Sequence, residues 1–245
     1  MNSRYRNKLK RIILVTILIL LIACKNNFFP VLIDSKLSCY YDVLFELTSS
    51  INSYLIQNTE IRHALLCFAS LCLDSLVLLS YVVWIVDWED WILFLSVLMF
   101  YTIRAITFSL FQIRFPNNYA FDHPGFPSIT VSYLVSNDFF FSGHVGLPTI
   151  LSFYYYLKLN YLMVFFALLV GVIQATMMLL LRGHYSIDLL FGILMSYYSV
   201  RIAEIINPYF KKFIRLNDQR FNLNDEQTKA KKYIYLNNDV DELQN

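Results

Sequence analysis

Long apolar runs alternate with polar breaks along most of the chain, and the length of the runs predicts its architecture. A helix needs about 20 mostly apolar residues to cross the hydrocarbon core of a bilayer. Six runs approach or reach that length: residues 9–24, 63–86, 91–111, 144–157, 161–181 and 188–206. The pattern therefore predicts an all-α, polytopic membrane protein built as a six-helix transmembrane bundle.

The polar breaks divide the chain into three regions. Residues 1–62 combine a retained signal anchor, since no small-residue cleavage site follows its apolar run, with a loop that holds an amphipathic surface helix at 42–57. Residues 63–206 form the transmembrane core. This core contains the histidine motifs described below and is therefore the predicted catalytic region. Residues 207–245 form a polar tail that is expected to be cytosolic and partly helical or disordered.

Basic residues predict the orientation of this bundle, because they concentrate on the cytoplasmic side of membranes. Five Lys or Arg lie within residues 4–11, and seven lie within residues 211–232. Six spans put both termini on one side, so both termini are predicted to be cytosolic. The long loops 25–62 and 112–143 then face the lumen or the exterior, in an endomembrane or the plasma membrane.

Composition supports a membrane protein and narrows its partners. Of the 245 residues, 57% are hydrophobic and 16% are charged, against a charged share of about 25% in soluble domains. A net charge of +2 gives no reason to expect a nucleic-acid partner. The four cysteines show neither a CxxC pair nor a metal-ligand spacing, so neither a metal nor a cofactor is predicted.

Two histidines at the same predicted membrane face carry the candidate chemistry. His144 and His184 each open a span, and Asp188 follows His184 by four residues, which places both side chains on one helix face. A carboxylate there fixes the imidazole tautomer and leaves the other ring nitrogen as nucleophile or base. Ser142 and Gly143 precede His144 at a helix start, where free N–H groups suit a phosphate, and His144 would be a general acid. The two histidines could instead ligate a haem, but that interpretation would give Asp188 no role.

Two arginines are candidate phosphate ligands. Arg182 stands beside the second histidine at the predicted membrane surface, whereas Arg104 lies about 10 Å inside the third span. A charge at that depth faces the bundle interior or a wet cavity, and a structural pair with Asp74 explains it as well as a phosphate clamp does. His63 and His123 are interpreted as interfacial polar residues, although the loop around His123 is equally a candidate lid.

These motifs resemble two families of membrane lipid transferases. Ser142-Gly143-His144 and His184-Tyr185-Ser186-Ile187-Asp188 resemble the S-G-H and H-Y-[ST]-x-D signatures of sphingomyelin synthases. The stretches 140–145, F-F-S-G-H-V, and 182–189, R-G-H-Y-S-I-D-L, resemble still more closely F-F-S-G-H-V and R-G-H-Y-T-I-D-L of plant phosphatidylcholine:diacylglycerol cholinephosphotransferases. Both families belong to the type-2 phosphatidic acid phosphatase superfamily, so the resemblance, which covers residues 91–206, implies a six-span helical core.

The resemblance implies a role for each matching residue. His184 would attack the phosphorus and carry a phosphohistidine, and Asp188 would orient and polarise it. His144 would protonate the departing diacylglycerol oxygen and then deprotonate the acceptor hydroxyl. Candidate substrate-binding residues are Ser142, Gly143, Arg182, Arg104, which matches an R-x-x-T motif, and Asp138, which matches an acidic residue upstream of S-G-H.

Departures from the superfamily pattern favour its transferases over its phosphatases. Phosphatases have an arginine six residues before the second histidine, where this chain has Met178, and a K-x6-R-P motif that it lacks. They also have proline where this chain has Phe141. The transferase branch therefore matches better than the phosphatase branch.

Three functions follow in order of preference. The first is a lipid phosphotransferase that moves a phospho-head-group, phosphocholine before others, from a phospholipid donor to a lipid alcohol such as diacylglycerol or ceramide. The alternative is a lipid phosphate phosphatase with the same His-His-Asp site, in which water attacks the phosphohistidine. The remote alternative is a non-catalytic lipid-binding membrane protein, which the intact His-Asp spacing disfavours.

Overall fold

The computed structural model describes residues 8–17, 42–87, 90–111, 113, 115–131, 133 and 140–242. Side chains are described as far as residue 217, Asp87 excepted. Regular secondary structure in these residues is entirely helical, as the apolar runs predict. The helices are α1 (8–17), α2 (Val43–Leu47), α3 (Ser49–Gln57), α4 (Thr59–Asp87), α5 (Ile92–Leu110), α6 (Gly143–Leu157), α7 (Tyr161–Leu180) and α8 (Ser186–Glu242).

Four of the helices are long and apolar enough to cross a membrane. They occupy Thr59–Val86, Ile92–Leu110, Tyr161–Leu180 and Ser186–Asn217, and correspond to the second, third, fifth and sixth predicted spans. The fourth predicted span is the shorter helix α6, which has 15 residues. The first predicted span, 9–24, is described only as far as residue 17. A bundle of six spans therefore stays a prediction.

The outward faces of the long helices are apolar. Leu78 and Val82 on α4, Phe165 and Val172 on α7, and Leu190 on α8 are all largely exposed. Soluble proteins rarely expose contiguous apolar surface on this scale. Helices with apolar outward faces are suited to contact with lipid, so the chain has the character of a membrane protein.

The amphipathic segment 42–57 forms two helices rather than the single helix predicted. The break falls at Thr48, whose hydroxyl donates to the Leu44 carbonyl at 2.7 Å and so ends α2. The fully buried Asn52 of α3 donates to the carbonyl of Leu180, at the end of α7, at 2.8 Å. These short helices are thus fixed against one end of the longer ones. Their location on the membrane surface stays a prediction.

The end of the helix assembly opposite α3 is held by two cations. Arg11 donates to the Trp84 carbonyl at 2.9 Å, and its guanidinium lies 5.0 Å from the centre of the Trp84 ring. Lys158, in the turn between α6 and α7, forms an ion pair with Asp90, in the α4–α5 connection. Helix α1 and both short connections therefore share this end.

Helix α6 packs closely against α5 and α8 because small residues line the contacts. A Cβ on Gly146 would lie 2.0 Å from Cζ of Phe100, and a Cβ on Gly192 would lie 2.7 Å from the Ser142 carbonyl oxygen. Ser196 of α8 donates to the Gly146 carbonyl at 2.8 Å. Small residues that allow close approach and an interhelical hydrogen bond are the usual means of packing helices in membranes.

The polar tail is helical through Glu242, where α8 ends. Residues Met1–Ala203 form one compact unit and Glu204–Asn245 a second. Helix is one of the two states predicted for this tail.

We expect Gly192→Ala to destabilise the protein by about 1–3 kcal/mol, the usual cost of an extra methyl group in a packed interior. The clash is with backbone, the Ser142 carbonyl, which cannot rotate away. Gly171→Ala is the matched control, because its Cβ would meet Pro148 at an ordinary 3.8 Å. Thermal unfolding of the three purified proteins in detergent measures the effect. Equal midpoints for both variants would contradict the proposed contact.

Candidate active site

The start of α6 lies against the start of α8, which brings the two sequence motifs together. Ser142 is the N-cap residue of α6, and its backbone N–H donates to the Asp188 carbonyl at 3.0 Å. Ser142 is fully buried, and its hydroxyl makes no hydrogen bond to the described residues. A buried hydroxyl at a helix start, beside first-turn N–H groups that have no partner within the helix, suits an anionic ligand.

The two histidines and the aspartate converge. The ring centres of His144 and His184 are 5.5 Å apart, and Nδ1 of His184 lies 3.7 Å from Oδ2 of Asp188. His184 is 2% exposed and Asp188 is fully buried. The Nδ1–Oδ2 distance is longer than a hydrogen bond, as is common in unliganded sites. The geometry lets the carboxylate orient the imidazole while Nε2 acts on a ligand near His144.

The His184–Asp188 contact does not arise in the way that the spacing predicts. Helix α8 begins at Ser186, so His184 lies in the turn before it rather than on the same helix. Oδ2 of Asp188 accepts the N–H of Tyr185 at 3.0 Å. This is the reciprocal bond of a capping box, in which the third residue of a helix reaches back to its N-cap. Asp188 therefore fixes the turn that carries His184.

The side chain of Arg104, on α5, extends to the start of α6, which is the candidate phosphate-binding position. It is 6% exposed, and its Nε donates to the Phe141 carbonyl at 2.7 Å. Its guanidinium carbon lies 3.4 Å from where a Cβ of Gly143 would be. The expected alternative, a pair with Asp74, is not formed, since the Asp74 carboxylate is bonded by the loop 128–130 instead.

Arg182, which the sequence predicts to lie at the membrane surface beside His184, is buried within the protein, with 8% exposure. Its Nη1 donates to the Asn117 carbonyl at 2.9 Å and its Nη2 to the Phe45 carbonyl at 3.3 Å. Its φ is +55°, in the left-handed region that costs a side-chain-bearing residue roughly 1–2 kcal/mol. These bonds hold the turn between α7 and His184. A role for Arg182 in binding phosphate stays a prediction.

Asp42, the N-cap of α2, and Phe45 of α2 support the same turn, and neither residue was identified from the sequence. Oδ2 of Asp42 accepts the Ser186 N–H at 2.6 Å, while Oδ1 accepts the Leu44 N–H, so one carboxylate caps both α8 and α2. The Phe45 ring lies 5.4 Å from the Tyr185 ring. An aspartate before an amphipathic run is a recognisable N-cap, but no local pattern reveals its bond to α8.

The remaining histidines lie in loop contacts near this end of the protein. Nε2 of His63 lies 3.1 Å from Oδ2 of Asp122, and Nδ1 of His123 accepts the Gly125 N–H at 2.9 Å. Asp138, the acidic candidate upstream of S-G-H, lies outside the described residues. Within the described ranges, no three His, Cys, Asp or Glu side chains are grouped so as to hold a metal ion.

We expect Arg182→Gly and Arg182→Ala both to lower stability, by about 1.5–3 kcal/mol for a lost charged hydrogen bond. Alanine should cost more than glycine, because only glycine accepts the positive φ without strain. Thermal unfolding in detergent, without lipid substrate, measures both. If Arg182 served only as a phosphate ligand, neither variant would unfold below the wild-type midpoint.

One family model matches the chain. It is that of AtPDCT1/2, and it covers residues 41–205, which include both histidines, Asp188 and the supporting Asp42. No curated protein and no solved structure gives a significant match. Because the matched region is about two thirds of the 245 residues, the chain belongs to the AtPDCT1/2 family of phosphatidylcholine:diacylglycerol cholinephosphotransferases.

Proposed function

We propose that the protein transfers phosphocholine from phosphatidylcholine to diacylglycerol through a phosphohistidine on His184. Family membership implies a phosphocholine transferase, and the observation that carries the mechanism is the convergence of His144, His184 and Asp188 at the start of α6. All three residues lie in the matched region. Lipid donor and lipid acceptor both suit a site at the end of apolar helices.

In the first half-reaction, Nε2 of His184 attacks the phosphorus of the donor. A P–N bond forms as the bond from phosphorus to the glycerol oxygen breaks, and His144, in its protonated form, gives its proton to that oxygen. Diacylglycerol leaves, and phosphocholine remains on His184. Asp188, 3.7 Å from Nδ1, stabilises the positive charge that the phosphorylated imidazole acquires.

In the second half-reaction, the hydroxyl of another diacylglycerol attacks the phosphohistidine. His144, now neutral, accepts the hydroxyl proton as the new P–O bond forms and the P–N bond breaks. The product is a phosphatidylcholine with the acceptor's acyl chains, and both histidines return to their starting states. His144 thus acts as the general acid in the first half-reaction and as the general base in the second, which suits an exchange between chemically similar lipids.

The phosphate oxygens are proposed to lie at the start of α6. Arg104 contributes positive charge beside Gly143, and the buried Ser142 hydroxyl and first-turn N–H groups contribute donors. Arg104 is preferred to Arg182 because of its position: its guanidinium carbon lies 3.4 Å from where a Cβ of Gly143 would be, whereas the guanidinium of Arg182 bonds the carbonyls of Asn117 and Phe45. Asp138 stays a candidate by resemblance alone.

For the membrane setting we propose six spans, cytosolic termini and a lumenal or exoplasmic site. The histidines lie at the opposite end of the described helices from Arg11 and Lys158. Basic residues at both chain ends support this orientation. Resemblance of both motifs to sphingomyelin synthases supports a place in the transferase branch of the type-2 phosphatidic acid phosphatase superfamily.

We expect proteoliposomes that contain choline-labelled phosphatidylcholine and a diacylglycerol of distinct acyl chains to form labelled phosphatidylcholine with those chains. Mass spectrometry distinguishes this product from labelled sphingomyelin, formed if ceramide is supplied and accepted, and from free phosphocholine, formed if water is the acceptor. Release of free phosphocholine alone would identify a hydrolase. Absence of every product from folded wild-type protein would overturn the proposal.

We expect His144→Ala and His184→Ala to differ when the donor carries a good leaving group. With p-nitrophenyl phosphocholine the departing oxygen needs no proton, so His144→Ala should keep the first burst of p-nitrophenol while losing about 10²–10⁴-fold with phosphatidylcholine. His184→Ala should lose both reactions, because no phosphohistidine forms. Stopped-flow absorbance measures the burst. A full burst from His184→Ala would rule out His184 as the nucleophile.

A further inference from the structure

We propose that Phe121 is a specificity-determining residue, which shields His144 from water so that the phosphohistidine passes to a lipid hydroxyl. This inference rests on the proposed function and concerns only the second half-reaction. Neither the hydrophobic pattern nor the motifs single out Phe121, which lies in the loop between α5 and α6.

Phe121 contacts both parts of the site. Its ring centre lies 5.3 Å from that of His144, with the two planes at 79°. Its Cδ2 lies 3.4 Å from where a Cβ of Gly183 would be, next to His184. The ring is 6% exposed. One apolar side chain therefore lies over the acid–base histidine and against the turn that carries the nucleophile.

The loop is anchored on both sides of Phe121. The Ala120 N–H donates to the Leu181 carbonyl at 2.9 Å. Asp122 accepts from Nη2 and Nε of Arg62 at 2.7 and 3.0 Å. Partial burial alone would raise the pKa of Asp122, but the hydrogen bonds from Arg62 and His63 outweigh it and hold that pKa below its usual value. The carboxylate therefore stays charged, and the anchor intact, at neutral pH.

The Phe121 ring also packs against a second aromatic ring. Tyr133 stacks on Phe121 with ring centres 5.2 Å apart and planes at 27°, and its hydroxyl bonds that of Ser70 on α4. With its neighbours in the chain bonded and its ring packed against Tyr133, Phe121 is held in a buried position. The cover over His144 is thus a fixed part of the fold.

The physical consequence concerns which hydroxyl His144 can activate. Water and diacylglycerol both offer an O–H, and water is small enough to enter any gap that a lipid leaves. A ring with no hydrogen-bonding group gives water no partner to replace those it loses. The acyl and glycerol carbons of a lipid need none. Closing a site against water is a general means of protecting a reactive intermediate from hydrolysis.

The test is the ratio of free phosphocholine to newly formed phosphatidylcholine in the proteoliposome assay. Both products come from one phosphohistidine, so their ratio is independent of how much of the protein is folded. We expect Phe121→Ala to raise the ratio by about tenfold, equivalent to about 1.4 kcal/mol in relative barrier. Phe121→Leu, which keeps more of the apolar volume, should give a smaller rise.

Matched variants separate the effect of the Phe121 ring from the effect of the loop that carries it. Phe126→Ala removes the same kind of side chain from the same loop at a position that is 44% exposed, and should leave the ratio unchanged. Asp122→Ala removes the anchor without touching the ring, and should raise the ratio even if Phe121→Ala does not fold. An unchanged ratio in Phe121→Ala, Phe121→Leu and Asp122→Ala would overturn the inference. Wild-type protein that makes no phosphatidylcholine would instead overturn the proposed function.

Discussion

The contact on which the site depends is made by the main chain and side chain of one residue, Asp188. Its carbonyl accepts the Ser142 N–H, which fixes the start of α6, and its carboxylate accepts the Tyr185 N–H, which fixes the turn that carries His184. The two motifs are some 40 residues apart in sequence, yet this residue bonds both. The absence of a side chain at Gly192 is what lets the two helix starts approach so closely.

A fully buried carboxylate is expensive in an apolar setting and needs compensation. Asp188 lies in the first turn of α8, where the helix dipole favours negative charge, and it accepts one backbone N–H. Its Oδ1 accepts no hydrogen bond from the described residues. The compensation is therefore partial in the free protein, and a cationic imidazole at His184 would complete it. In the proposed mechanism, such a carboxylate would favour the phosphorylated, positively charged form of the histidine over the neutral one.

Much of the fold follows from the sequence because hydropathy and helix length are local properties. The apolar runs locate α4, α5, α7 and the start of α8 to within a few residues, and the two motifs identify the residues that converge. The capping-box role of Asp188 was missed because four-residue spacing fits a helix equally well. The bonds of Arg182 and Asp42 were missed for another reason: their partners are carbonyls and N–H groups at distant helix ends. Local sequence does not reveal which distant backbone groups will need a partner.

The face of α4 that holds the loop between α5 and α6 gives Asp74 a physical role. Arg62, Leu66, Ser70 and Asp74 are spaced four residues apart, so they line one face of the helix, and each bonds Asp122, Tyr133 or the segment 128–130. Asp74 lies roughly 20 Å along the helix from Thr59. In the proposed membrane arrangement this is a depth where unsatisfied backbone groups are costly in lipid. Its carboxylate accepts the N–H groups of Ile129 and Thr130 and the hydroxyl of Ser128. An acid in the middle of an apolar helix therefore allows a non-helical segment to lie at that depth, and the same loop carries Phe121 onto His144. The proposed depth of the loop and the cover over the site therefore both depend on one face of α4.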